Sequence, residues 1–207
     1  AEALPGVCKY SIVLPTDPAH AEFDGLAELY FEDLEQLYGT FGSRGDHEPN
    51  FDRAEVVAVN EDVTNFADPG ALTRFVGEEQ LQRDDVDGTD GLYKHSAFLV
   101  RQDGMSHAEF VEYWQTNHTP IAREIAGVVR YATVLPAAPE HAAFDGVAEL
   151  YFEDLDALHD ALGGEGSRDY DPERGMAKRA REDVDSFLAI DRRPRLIGRE
   201  HVRVDEG

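Results

Sequence analysis

One cysteine, Cys8, and three lysines, Lys9, Lys94 and Lys178, are all that 207 residues hold of those two types. A lone thiol excludes an internal disulfide and any cluster of thiolate ligands. No apolar stretch approaches the eighteen or so residues that a membrane-crossing helix requires, and no apolar leader is recognisable. Zinc-ligand spacing, a phosphate-cradling glycine loop and a nucleophile elbow are absent too. These absences predict a soluble, cytoplasmic protein without a resident metal.

Positive charge is also scarce. Nineteen basic residues face forty-three acidic ones, a formal net charge of -24. Binding to phosphate begins with a basic surface, so neither nucleic acid nor a membrane is an expected partner. The carboxylates are spread along the chain around an ordinary 42% hydrophobic content. That pattern is the one expected of a halophilic protein, in which excess carboxylates hold hydrated cations and high salt screens their repulsion.

What the chain does have is a copy of itself. FDGLAELYFEDL, from Phe23 to Leu34, returns as FDGVAELYFEDL, from Phe144 to Leu155. The offset of 121 holds without a gap from Gly6 and Gly127 to Glu79 and Glu200. About thirty of some seventy-five pairs are identical, too many for chance at one fixed offset. EDV before Phe66 matches EDV before Phe187, and RFVGEE matches RLIGRE. At so long a period each copy is a small domain, and the units are expected at 1–86 and 87–207.

The second copy reads in order. LYKHSAFLV (92–100) is β-rich and lies between turn sequences, so it is a predicted strand. SHAEFVEYWQTNHTPIAREI follows, with Ser106 and Glu109 in a capping-box spacing. Phe110, Trp114, His118, Ile121 and Ile125 recur there at helical intervals. VVRYATVL and GVAELYF are the next strands, then polar helical stretches around 154–161 and 172–188, and a last strand, PRLIGREHVRV. The order β-α-β-β-α-β is a ferredoxin-like unit, so the fold class is α+β.

The first copy has counterparts for the last two-thirds of this unit but none for its first strand and helix, because Ala1 aligns with Ala122. An exposed sheet edge is something proteins normally avoid. The expectation is that the natural chain extends further upstream, the alternative being that another molecule fills the slot.

His118 is the leading chemical candidate. It shares a helix face with Phe110 and Trp114, and Pro120, two residues on, cannot donate to the helix. Thr119 would then cap a new segment, leaving His118 at a helix break where its ring could act as a base or merely satisfy loose backbone groups. Tyr93 and His95 alternate together on the first strand. Glu149 and Tyr151 share one face of the third, pointing either into a ligand cavity or into an interface, where Glu28 and Tyr30 would mirror them. His20 and His141 recur three residues before F-D-G, which suggests a shared structural task in the loop.

Two motifs carry a resemblance. The pattern F-x-x-Y-W-x-x-x-H-x-P at Phe110, Tyr113, Trp114, His118 and Pro120, followed by D-G-x-A-E-L at Asp145 to Leu150, resembles the EthD family of dimeric α+β-barrel proteins. The likeness covers residues 92–204 in full and 1–82 as a partial second copy. Tyr30 and Tyr151 stand where such sequences often carry Trp. The resemblance implies two ferredoxin-like units in tandem whose sheets close face to face into a barrel, an internal pseudo-dimer, with association into a further homodimer left open. It also implies a cavity between sheet and helices for a small hydrophobic, aromatic or lactone-like molecule.

Three functions follow from it. The first is a cofactor-independent isomerase, cyclase or monooxygenase-like enzyme with His118 catalytic and Tyr113, Trp114, Tyr93, His95, Glu149 and Tyr151 contacting the ligand in a cavity of several hundred cubic ångströms. The second is a non-catalytic ligand carrier or interaction protein. The third is a haem protein with His118 toward the iron.

Overall fold

The computed structural model describes residues 4–42, 53–165 and 175–205. Its centre is a single seven-stranded antiparallel sheet in the order β2-β1-β7-β4-β6-β5-β3. The first copy supplies β1 (Val7–Pro15), β2 (Leu26–Phe31) and β3 (Gly77–Asp84), with helices α1 (Leu34–Phe41) and α2 (Ala54–Val63). The second supplies β4 (Tyr93–Leu99), α3 (His107–Tyr113), α4 (Thr119–Ala122), β5 (Val128–Pro136), β6 (Gly146–Phe152), α5 (Leu155–Leu162), α6 (Gly175–Val184) and β7 (Arg195–Asp205). Residues 172–174, expected as the start of a helix, lie outside the described residues.

Within the second copy β7-β4-β6-β5 is the ferredoxin-like order. The two copies join by exchange of equivalent edges: β1 pairs with β7, and β3 with β5. In repeat terms, each copy's second strand lies against the other's fourth. The sheet therefore runs unbroken through both halves and curls, with the helices on one face. No ladder joins β2 to β3, the two ends of the sheet.

Local chemistry explains the helix starts. The aspartate of the repeated F-E-D-L caps a helix both times: Asp33 accepts from the Gln36 amide and Asp154 from the Ala157 amide, each at 2.8 Å. The Ser106–Glu109 capping box is formed, the Glu109 carboxylate accepting from the Ser106 amide at 2.8 Å.

The expected helix break at His118 is not there. Instead Trp114–His118 form a π-helical turn that leads straight into α4. The Thr119 amide donates to the Trp114 carbonyl five residues back. Widening the turn in this way absorbs Pro120 without breaking the chain direction. Thr119 is therefore helical, with φ -54° and ψ -43°, and caps nothing.

The main core lies between the second copy's strands and helices. Phe110, Trp114, Tyr131, Phe152, Leu158 and Phe187 there are each fully buried. Gly146 is needed for it: a Cβ at that position would sit 2.5 Å from the Trp114 indole. Among the described residues the first copy's own core is much smaller, with Leu4, Val7 and Val56 at its centre.

Candidate functional site

α3 and its π turn hold Trp114 and His118 over β4 and β6, and α6 closes the far side. A cavity of about 90 Å³ remains between them. Its lining includes His95, Trp114, His118, Leu150, Phe187 and Arg193. This is far less than the several hundred cubic ångströms expected, because Phe110, Phe187 and the indole pack against one another and fill most of the layer.

His118 is held from behind. Its Nδ1 lies 2.9 Å from Asp183 Oδ2 on α6, and the Tyr113 hydroxyl donates to Asp183 Oδ1 at 2.9 Å. The hydrogen bond from His118 holds the Asp183 carboxyl below its ordinary value; burial works against it, and Tyr113 and the His118 and Arg179 charges reinforce it. An ionised carboxylate only accepts, so a proton sits on Nδ1, and Nε2 is the ring nitrogen that Asp183 does not engage. No protein group among the described residues bonds that nitrogen, and His118 lines the cavity. Phe187 stacks on Tyr113 and touches the imidazole, ring centroids 5.3 and 5.0 Å apart, which fixes the ring plane.

The sheet contributes a second imidazole. His95 on β4 is buried, and its Nδ1 has no hydrogen-bond partner. Burial, with the charges of Arg195 and Arg193, holds it well below the usual histidine range, so it is neutral at physiological pH. Arg181, Arg193 and Arg195 also line the cavity, and among the described residues no carboxylate does. Tyr131 on β5 remains a neutral hydroxyl, pushed up to about 12 by burial.

The sequence candidates therefore separate. His118, Trp114 and His95 meet at the cavity. Tyr113 stands behind it, through Asp183. Tyr93 shares the His95 face of β4 but packs at its end, with the Arg199 guanidinium 5.9 Å above its ring. Glu149 and Tyr151, expected among the ligand contacts, face the other way. β6 turns Ala148 and Leu150 to the cavity, and period-two alternation sends Glu149 and Tyr151 to the side where the two copies meet. There Glu149 binds Lys94 at 2.8 Å and Lys94 stands 5.0 Å over the Tyr151 ring. His20 and His141 lie in exposed loops, His20 bonded only to Asp17 at 2.8 Å, so neither ties its loop to a strand. Asp183 is the residue that sequence reasoning missed. Its one signal was the recurrence of EDV in both copies.

Residues 102–189 match the family model described as EthD domain. No protein with a curated description matches the chain. Among solved structures, an EthD family protein from Bacillus halodurans C-125 is 19% identical, with a TM-score of 0.40 over 52% of this chain and 96% of its own. An anthrone oxidase-like protein is 14% identical, with a TM-score of 0.56 over 97% of this chain and 80% of its own. A candidate monooxygenase from Fusobacterium nucleatum is 11% identical, with a TM-score of 0.58 over 96% of this chain and 79% of its own. The latter two share its mixed α+β barrel fold.

Proposed function

We propose that this protein binds a small, flat, largely apolar molecule in the sheet–helix cavity and that His118 moves a proton on it without a cofactor. The observation that carries this reading is the Tyr113–Asp183–His118 relay, which leaves Nε2 as a base at the cavity wall. The reaction class is proton abstraction from carbon next to a carbonyl, or its reverse. Nε2 takes the proton, and Asp183 stabilises the imidazolium that results. The negative charge that develops on the carbonyl oxygen falls in a cavity whose lining includes neutral His95 as a polar contact. A positioned general base of this kind contributes about 10²- to 10⁴-fold. Arg123 and other exposed cations are outside this geometry.

The match of residues 102–189 to the EthD domain supports small-molecule binding at the same place, since that span contains α3, β6 and α6. A haem protein is the reading that a cavity of about 90 Å³ beside His118 supports least. A ligand carrier without chemistry is the competing reading, and it predicts that Nε2 is engaged by protein.

Nitrogen-15 NMR of the histidines separates them. A pyrrole-type Nδ1 and a pyridine-type Nε2 at His118 are expected, with the Nε2 signal moving when a cyclic enolisable ketone or lactone is added. The opposite tautomer, or an Nε2 signal indifferent to every such compound together with no small molecule retained in native mass spectrometry, overturns the proposal.

A further inference from the structure

In the sheet order β1, β7 and β4 separate β2 from β6, and still Glu28 on β2 and Glu149 on β6 meet inside the curl. Their common partner is Lys94 on β4. Its ammonium, fully buried, lies 2.5 Å from Glu28 Oε1 and 2.8 Å from Glu149 Oε1. The two glutamates hold the same place in the two copies, so the repeat itself brings a pair of like groups to one point. The pair lies on the sheet face away from the His118 cavity, which separates its titration from any chemistry there.

The donors around the pair are unequal. Glu28 takes Lys94 on one oxygen and the Ser11 hydroxyl on the other, at 2.9 Å, as an ionised carboxylate would. Glu149 Oε2 is buried and receives no hydrogen bond. The two carboxyl groups also bond each other. Carboxylates only accept, so that bond requires a proton on one of them. The surrounding groups are already matched. Lys9 on β1 lies 3.4 Å from Glu200 on β7, and Arg130 on β5 lies 3.3 Å from Glu79 on β3. Burial keeps the Tyr30 and Tyr151 phenols neutral. One ammonium is left for two carboxyls, and a single negative charge balances it.

We infer that Glu28 and Glu149 share one proton, carried by Glu149 and donated to Glu28, and that this acid–carboxylate pair on Lys94 is a pH-sensitive clasp between the two copies. Burial holds the Glu149 carboxyl well above its usual range, with Lys94 opposing and Glu28 reinforcing it. Burial acts the same way on Glu28, but Lys94 and the bonds from Glu149, Lys94 and Ser11 outweigh it and hold that carboxyl low. Above about pH 4.3 the unfolded chain gives up the Glu149 proton, whereas the folded chain keeps it. Folding therefore takes up one proton, and this contribution to stability falls as pH rises toward the folded value. Once the proton passes to solvent, two negative carboxylates face one ammonium and the tie between β2 and β6 loosens.

Difference infrared spectroscopy of the intact protein at neutral pH tests the clasp directly. A carboxylic-acid C=O band is expected in the wild type and is expected to vanish in Glu149→Gln. It is expected to vanish in Glu28→Gln as well, because Glu149 then ionises as the one carboxylate on Lys94. Urea denaturation supplies an independent readout: between about pH 5 and 7 the folding equilibrium constant of either Gln variant, relative to wild type, is expected to rise about tenfold per pH unit. A band that persists in Glu28→Gln would mean a lone acid kept neutral by burial. Absence of the band from the wild type, or a ratio that stays level with pH, would mean two ionised carboxylates. Each of these results overturns the shared proton.

Discussion

The twin segments FDGLAELYFEDL and FDGVAELYFEDL differ at one position in twelve, yet they end in different surroundings. Asp145 is buried, accepting from the Arg101 amide at 2.9 Å and from the Arg101 guanidinium, with His107 Nδ1 at 3.3 Å; Asp24 is exposed. Gly146 makes room for the Trp114 indole, while a Cβ on Gly25 would meet only the Val13 carbonyl at 3.3 Å and Leu14. Phe187 is fully buried and Phe66 is 75% exposed. In the second copy Asp145, Gly146 and Phe187 each meet α3 or the π turn that follows it. Identical local sequence makes identical local structure, down to the capping aspartates. A site needs the layer that covers it.

The comparison can be broken most severely at its hinge. Replacing Lys94 with Met leaves Glu28 and Glu149 facing each other in the interior, and the expected loss is about 3–5 kcal/mol. Glu149→Gln, which keeps a polar group of the same shape beside Lys94 and Glu28, is expected to be far milder. Urea denaturation of both variants checks this, and similar losses would mean that Lys94 does not balance the pair.

Phe187→Ala and Phe66→Ala test the two layers directly. The first is expected to cost about 3–5 kcal/mol and the second to stay within about 0.5 kcal/mol, both read from chemical denaturation. Comparable effects would show that the first copy's outer face is as well packed as the second's.

Asp183 and Asp62 are the aspartates of the two EDV motifs, and among the described residues only Asp183 faces an imidazole. Asp183→Asn is expected to release the His118 tautomer and, once a substrate is in hand, to lower kcat by about 10²-fold or more with little change in KM. Asp62→Asn is expected to leave both constants unchanged. A kcat insensitive to Asp183→Asn would leave the relay without a role in chemistry.

The smallest effect concerns His95. Its folded pKa lies well below the unfolded value, mainly through burial and then through Arg195 and Arg193. Below about pH 6.5 the unfolded chain therefore takes up a proton that the folded chain refuses, and stability falls as pH drops through that window. Asp183, with a depressed folded value, adds stability that is present above the ordinary carboxylate range and lost at more acidic pH. The urea midpoint between pH 7.5 and 5 is expected to decline in the wild type and to decline less in His95→Gln. Parallel curves would mean that His95 takes up a proton in the folded state.

Much of this was legible in the residues. The repeat, the strand and helix order, the capping box and the shared face of Phe110, Trp114 and His118 follow from spacing along one chain, where periods of two and of 3.6 residues place neighbouring side chains together. Period two also put Glu149 with Tyr151, and Tyr93 with His95, on common faces. Which face meets the cavity depends on the side of the sheet that the helices take, and that is a property of the whole layer. Asp183 is 65 positions from its imidazole and reaches it only because α6 packs beside the π turn. The π turn itself is a compromise between Pro120 and the packing of Trp114, and spacing alone pointed to a break.

By itself, then, the sequence determined which segments are strands and helices, that one unit is written twice, and that its surface is acidic, because those properties depend on near neighbours and on composition. Tertiary structure alone decided that the two copies share one continuous sheet, that Lys94 lies between repeated glutamates, and that the cavity beside His118 is narrow. Each of these depends on residues that meet only after the chain has folded, where burial and distance set the strength of a charge or the size of a space.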